Sequence, residues 1–187
     1  MNYTLTDHQR VPMTLHAHNM VAQSILLHLA GDQLGNFSLW QTDLEERRQT
    51  DEAVCADAVD LFTKVRVSNQ SDLQRFTRLH EVENNLKTGA RLNHWLGIRI
   101  RRLQEYGEGR ACCCVWAGSN AIYTAYQESL SKPIPCYYRT ATGALSIDQS
   151  QPRLNAEPWM FKFFRLERDR VSGVWHPAEH DLASLIG

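Results

Sequence analysis

Val11-Pro12-Met13-Thr14-Leu15-His16-Ala17-His18 alternates apolar and polar side chains and runs into a helical pattern opened by Asn19. Successive strand side chains point to opposite faces, so Val11, Met13, Leu15 and Ala17 share one face and Pro12, Thr14, His16 and His18 the other. The polar face carries hydrogen-bonding groups but no fixed charge. An ordinary edge strand with a wet face has the same pattern. Downstream, Met20, Val21, Ile25, Leu26 and Leu29 recur at helical spacing and predict a helix over residues 19–30, closed by a turn at residues 31–36. Ser38 then stands three residues before Gln41, the capping-box spacing, which predicts a second helix over about residues 39–49. Val54, Ala58, Leu61 and Phe62 suggest a further one.

After the polar linker Ser68-Asn69-Gln70-Ser71, the periodicity predicts a long amphipathic helix over about residues 72–106. Leu79, Val82, Leu86, Ala90, Leu96, Ile100 and Leu103 line one face and demand a core or a partner helix. Lys87, Arg91, His94, Arg101 and Arg102 gather on the opposite side of the wheel. Gly89 and Gly97 weaken that helix or admit a close neighbour, and Gly107-Glu108-Gly109 ends it. The charges are unevenly spread. Asp43 to Asp60 carries seven acidic residues against two arginines, whereas Lys87 to Arg110 carries six basic residues against Glu105 and Glu108. A basic patch on a chain of net charge −1 suits a local anionic partner, although a solvated helix face is the commoner origin of such a run.

The second half changes character. Cys112 to Trp116 and Ile122 to Tyr126 read as β-prone or buried, and residues 136–140 with 144–147 around Gly143 read as a hairpin. A second apolar block from Trp159 to Leu166 meets Arg170 to Trp175 across a charged turn, and a short helix is expected over residues 179–186. The fold class expected is therefore α+β: an N-terminal strand followed by helices, a long amphipathic helix, and a β-rich C-terminal part. The corresponding segments are residues 1–67, 68–110 and 111–187.

At 187 residues and 43% hydrophobic content, the chain has enough apolar surface for a substantial core. No apolar run approaches the roughly 18 residues of a membrane span, and no basic segment followed by an apolar core opens the chain, so a cytoplasmic protein without a membrane partner is expected. Five cysteines, three of them consecutive, read as reduced and mostly buried thiols.

Sites for chemistry are sparse. His16 with His18, and His176 with His180, have spacings that suit zinc, but Pro177 interrupts the second pair and no Cys-x-x-Cys accompanies them, so no metal or other cofactor is expected. Cys112, Cys113 and Cys114 have Arg110 as their only charged neighbour, which favours a core role over a reactive one. Nucleophile elbows and phosphate loops are absent, and the paired carboxylates Glu81 with Glu83 occur in a run typical of a solvated helix face. No enzyme is expected. Tyr137, Tyr138, Trp159, Phe161, Phe163 and Phe164 offer stacking surfaces, although aromatics at strand spacing more often form core.

A strand leading into two helices is the element order of a ribbon-helix-helix DNA reader, in which two strands pair across a two-fold axis and enter the major groove. On that reading Thr14, His16 and His18 face base edges, and Arg10 anchors the start of the strand. Asn36 and Ser38 stand where the second helix begins and its free amides favour a phosphate. Lys87, Arg91, Arg101 and Arg102 would contact flanking backbone. The stretch from Met13 to Gln23, with the tryptophan-containing helical region and basic positions that follow, resembles the AcaB-type regulators of conjugative plasmids and integrating conjugative elements over about the first 105 residues. The resemblance implies a homodimer that binds promoter DNA and activates transfer genes. Readers of this type usually carry Arg, Lys, Asn or Gln on the ribbon, and this chain departs from that with two histidines. The rival expectation is a protein-interaction module acting through the aromatic C-terminal sheet.

Overall fold

The computed structural model describes residues 20–25, 27, 37–42, 60–66, 75–83, 85–172 and 174–179. Among the described residues, eight strands and two helices follow the helical residues 20–25: β1 (Phe37–Thr42), β2 (Leu61–Arg66), β3 (Arg75–Glu83), α1 (Gly89–Tyr106), β4 (Ala111–Ala117), α2 (Asn120–Leu130), β5 (Tyr137–Arg139), β6 (Leu145–Ile147), β7 (Phe161–Arg168) and β8 (Trp175–Pro177). Six strands form one sheet in the order β1-β2-β3-β4-β7-β8, and β5 with β6 form a separate hairpin. β1, β2 and β3 run antiparallel in succession, β3, β4 and β7 are parallel, and β8 is antiparallel to β7.

Parallel neighbours need crossover connections. α1 links β3 to β4, and α2 with the hairpin links β4 to β7. Both helices bury their apolar faces in one cluster with Leu79, Cys113, Val115 and Ala117. On the other face, Val21, Ala22 and Ile25 pack with Leu61, Val82, Cys112, Cys114, Trp116, Phe164 and Leu166. β4 is therefore covered on both sides, and all seven of its residues are buried. That explains its unbroken apolar run, the composition of a central parallel strand.

This architecture overturns the expected fold class. The first strand described, β1, follows the helical residues 20–25. Where a second helix was expected over residues 39–49, Phe37–Thr42 is a strand paired with β2, so Ser38 is a strand residue and not a helix cap. Among the described residues no strand, helix, helix order is present. The helix expected around Leu61 and Phe62 is also a strand, β2. The long helix begins at Gly89, not near residue 72, because Arg75–Glu83 is strand β3. Leu79 and Val82 have helical spacing, yet they bury on opposite faces of the sheet, Leu79 toward the helices and Val82 toward Trp116. Gly89, with φ 55°, turns the chain into α1 where an L-residue would be strained. Ile122 to Tyr126, read as β-prone or buried, lies in α2.

The hairpin around Gly143 and the meeting of the Trp159–Leu166 block with the chain near Trp175 agree with the sequence reading. The strand expected over residues 11–18 and most of the helix expected over 179–186 lie outside the described residues.

Candidate functional site

β4 ends at Ala117, whose parallel partner is Arg165, while β7 continues to Arg168. The last residues of β7 therefore have no β4 neighbour on that side, and a cavity of about 500 Å³ opens there. Its walls are Ala117 and Gly118 at the end of β4, Ser119, Asn120 and Tyr123 in the first turn of α2, and Phe163 through Glu167 of β7. The cavity lies at the carboxyl end of parallel strands, where open sheets with helical crossovers bind their ligands.

Each wall has a local cause. Ser119 is the N-cap of α2: its hydroxyl accepts from the Ile122 amide at 3.3 Å, which fixes the helix start at the cavity rim. Tyr123, 46% exposed, stands edge-on to Phe163 at 5.4 Å and 86°. Alternation along β7 puts Phe163, Arg165 and Glu167 on one face and Phe164 and Leu166 on the other. His176 is the register partner of Glu167 and so shares its face. Phe164 stacks on Trp116 at 4.6 Å, linking the cavity wall to the buried side of the sheet.

Among the described residues, two buried polar groups lie on opposite faces of the sheet. Under α1 and α2, Glu81 and Glu83 of β3 are 5% and 2% exposed, not on a solvated helix face as their spacing suggested. Arg99 of α1 donates through Nε to Glu81 Oε1 at 2.6 Å, and its terminal nitrogen lies 2.6 Å from the same oxygen. Lys87 pairs with Glu83. Both cations lie over the Trp95 ring, at 5.3 Å for Lys87 and 5.4 Å for Arg99. Burial pushes the Glu81 carboxyl up to about 8, against the pull of Arg99. The Tyr126 hydroxyl is buried without a hydrogen-bond partner, and burial followed by the nearby Glu83 carboxylate holds it far above the ordinary phenol range. On the opposite face Thr63, His80 and Trp116 form a second group, in which burial and then Arg78 lower His80 to about 3.

The site residues expected from sequence are dispersed. Arg10, Thr14, His16, His18 and Asn36 lie outside the described residues, and the Ser38 backbone belongs to β1. Lys87 precedes α1 and is engaged by Glu83 and Trp95, while His94 lies edge-on to Tyr137. Arg91 and Arg101 are exposed on α1 and Arg102 is half-buried. Cys112, Cys113, Cys114 and Cys136 are free and buried, as expected, and burial pushes the Cys113 thiol well up. Phe164 is buried and Trp159, Phe161 and Phe163 pack against the core, leaving Tyr138 the most exposed of the aromatics singled out from sequence.

Sequence reasoning missed Tyr123, Arg165 and Glu167. The only signal was charge alternating with aromatics in Phe163-Phe164-Arg165-Leu166-Glu167, which marks one open strand face. Among the described residues no group of three or more His, Cys, Asp or Glu side chains is placed to hold a metal ion, and no helix is long and apolar enough to cross a membrane. No family model, curated protein or solved structure matches the chain.

Proposed function

We propose that this protein binds a small organic molecule in the cleft at the carboxyl ends of β4 and β7. The observation that carries the reading is the cavity of about 500 Å³ formed where β7 outruns β4 beside the first turn of α2. Its size lies within the usual range for small-molecule sites, and it combines an apolar wall with a few polar groups, the composition that lets such sites bind and orient a ligand. Screening a fragment library by ligand-observed NMR against the full chain and against Asn120→Trp tests this, because Asn120 lines the cavity and an indole there would take up part of its volume. Fragments that bind the parent chain and are lost in the variant are expected. Binders indifferent to Asn120→Trp, or none at all, would sink the reading.

A second reading, sequence-specific DNA binding by a homodimer, draws support from the exposed Arg91 and Arg101 on α1 and exposed Arg110 just beyond it. Phosphate contacts by these side chains predict affinity that falls with salt at a log-log slope near about −0.9 per contact. Fluorescence anisotropy against the chain's own upstream duplex and a scrambled duplex decides it. Binding to neither at micromolar protein removes this reading.

A further inference from the structure

We propose that Cys112 and Cys114 form a two-coordinate site for a soft monovalent metal ion, of the class of Cu(I), within the sheet face that packs against Val21, Ala22 and Ile25. The two thiols stand two positions apart on β4, so they share a face, and their Sγ atoms lie 3.8 Å apart. Metal–thiolate bonds of about 2.3 Å let an ion bridge sulfurs up to about 4.6 Å apart, so small rotations about the Cα–Cβ bonds are enough to admit it. Both thiols are free and buried. Cys113 between them points to the opposite face, into the cluster under α1 and α2, and takes no part.

The neighbours decide how many ligands the ion receives and what charge it carries. His80 is the register partner of Cys114, but both of its ring nitrogens are engaged, by Trp116 and by Thr63. Among the described residues no third His, Cys, Asp or Glu is placed to complete a metal site, so Zn(II), which takes four ligands, is not served. Cu(I) is selected by thiolate sulfur and is satisfied by two such ligands. Arg78 is the register partner of Cys112, and its Nη1 is buried without a hydrogen-bond partner. Lys162 is the register partner of Cys114 on the other side. Binding releases one proton from each thiol and leaves a bis-thiolate complex with a single negative charge, with no change of oxidation state at metal or sulfur. That anion gives Arg78 a strong acceptor, which neutral thiols do not offer. A hydrogen bond from Cys114 holds the Cys112 thiol below the ordinary thiol range against the effect of burial, and Lys162 and Arg78 add to it.

Anaerobic titration of the full chain with Cu(I) in competition with the chromophoric chelator bathocuproine disulfonate, followed by X-ray absorption of the loaded protein, is the test. One equivalent bound, with two sulfur neighbours and no nitrogen, is expected. Cys112→Ala and Cys114→Ala should each abolish the competition, whereas Cys113→Ala, an equally buried change on the same strand, and Cys136→Ala should leave it intact. Because Cys113→Ala removes the same volume from β4, a loss confined to Cys112→Ala and Cys114→Ala reports on ligation and not on packing. Arg78→Gln should weaken binding by about tenfold or more, as removal of a supporting group beside a metal site does. The absorption measurement needs no variant. No competition by the parent chain, an imidazole among the metal's neighbours, tight binding of Zn(II) offered alone, or binding that survives Cys112→Ala would each overturn the proposal.

Discussion

The indole N–H of Trp116 donates to Nδ1 of His80 across 3.3 Å, and this fixes the tautomer of a histidine that is completely buried. An indole nitrogen is a donor only, so Nδ1 carries the lone pair and Nε2 carries the proton, which it donates to Thr63 Oγ1 at 3.0 Å. The ring is satisfied at both nitrogens only when neutral. Trp116 in turn stacks on Phe164 in the cleft wall, so this polar group helps hold one side of the candidate site.

Acid should unfold the protein partly through His80. Its folded value, about 3, lies below the ordinary 6.5, so the unfolded chain binds more protons between these limits and stability is lost as pH falls from 6.5 toward 3. The full loss is about 5 kcal/mol at roughly 1.4 kcal/mol per unit. Urea titrations across this range should show the slope in the parent chain and its reduction in His80→Gln. An unchanged slope in the variant would contradict the assignment.

Glu81 has the opposite sign. Its folded value, about 8, lies above the ordinary 4.5, so the folded chain binds more protons and stability falls as pH rises from 4.5 to 8. Between 4.5 and 6.5 the two groups offset each other, and above 6.5 the decline from Glu81 remains. Glu81→Gln should flatten the stability profile between pH 6.5 and 8, as read by the same denaturations.

The Arg99 and Glu81 pair should be strongly non-additive. Glu81→Leu alone removes the carboxyl that accepts from a guanidinium that is 2% exposed and should cost about 3–5 kcal/mol. Replacing both, as Glu81→Leu with Arg99→Met, also removes the buried charge and should cost less than the sum of the single changes. A double-mutant cycle by thermal or urea unfolding measures this, and a double variant as unstable as the sum of the singles would refute it.

Tyr126→Phe should be neutral or stabilising by up to about 1 kcal/mol, because it deletes a buried hydroxyl with no hydrogen-bond partner and keeps the ring against Trp95 and Phe163. A loss above about 2 kcal/mol would show instead that the hydroxyl is bonded to Glu83 in solution.

Gly97→Ala should stabilise α1 by about 0.5–1 kcal/mol. A Cβ at Gly97 would meet Leu154 Cδ1 at 3.7 Å, an ordinary van der Waals contact, and the position is mid-helix. Destabilisation in a melting experiment would mean that Leu154 cannot accommodate the methyl group.

Several parts of this molecule were legible from residue order alone. The second half of the long amphipathic stretch is helical because Leu92, Leu96, Ile100 and Leu103 keep one face toward the core. The buried β4, its reduced cysteines, the hairpin around Gly143 and the β7–β8 pairing follow from local composition and turn chemistry. The identity of β3 did not. Leu79, Val82 and Leu86 fit a helical period, and a strand buried on both faces loses the polar alternation that would distinguish it. Only hydrogen bonding to β2 and β4 decides the matter. The same holds for the charged groups: Glu81 and Glu83 read as solvated until α1 brings Arg99 over them and the loop before it brings Lys87. The cleft is the extreme case. Ser119 and Tyr123 stand more than forty positions before Arg165 and Glu167 in the chain, and they share one cavity because β4 stops at Ala117 beside Arg165 while β7 runs on. Register is set by pairing between strands remote in sequence, so local pattern determines which segments are apolar, and tertiary pairing alone determines where the sheet ends and a ligand can enter.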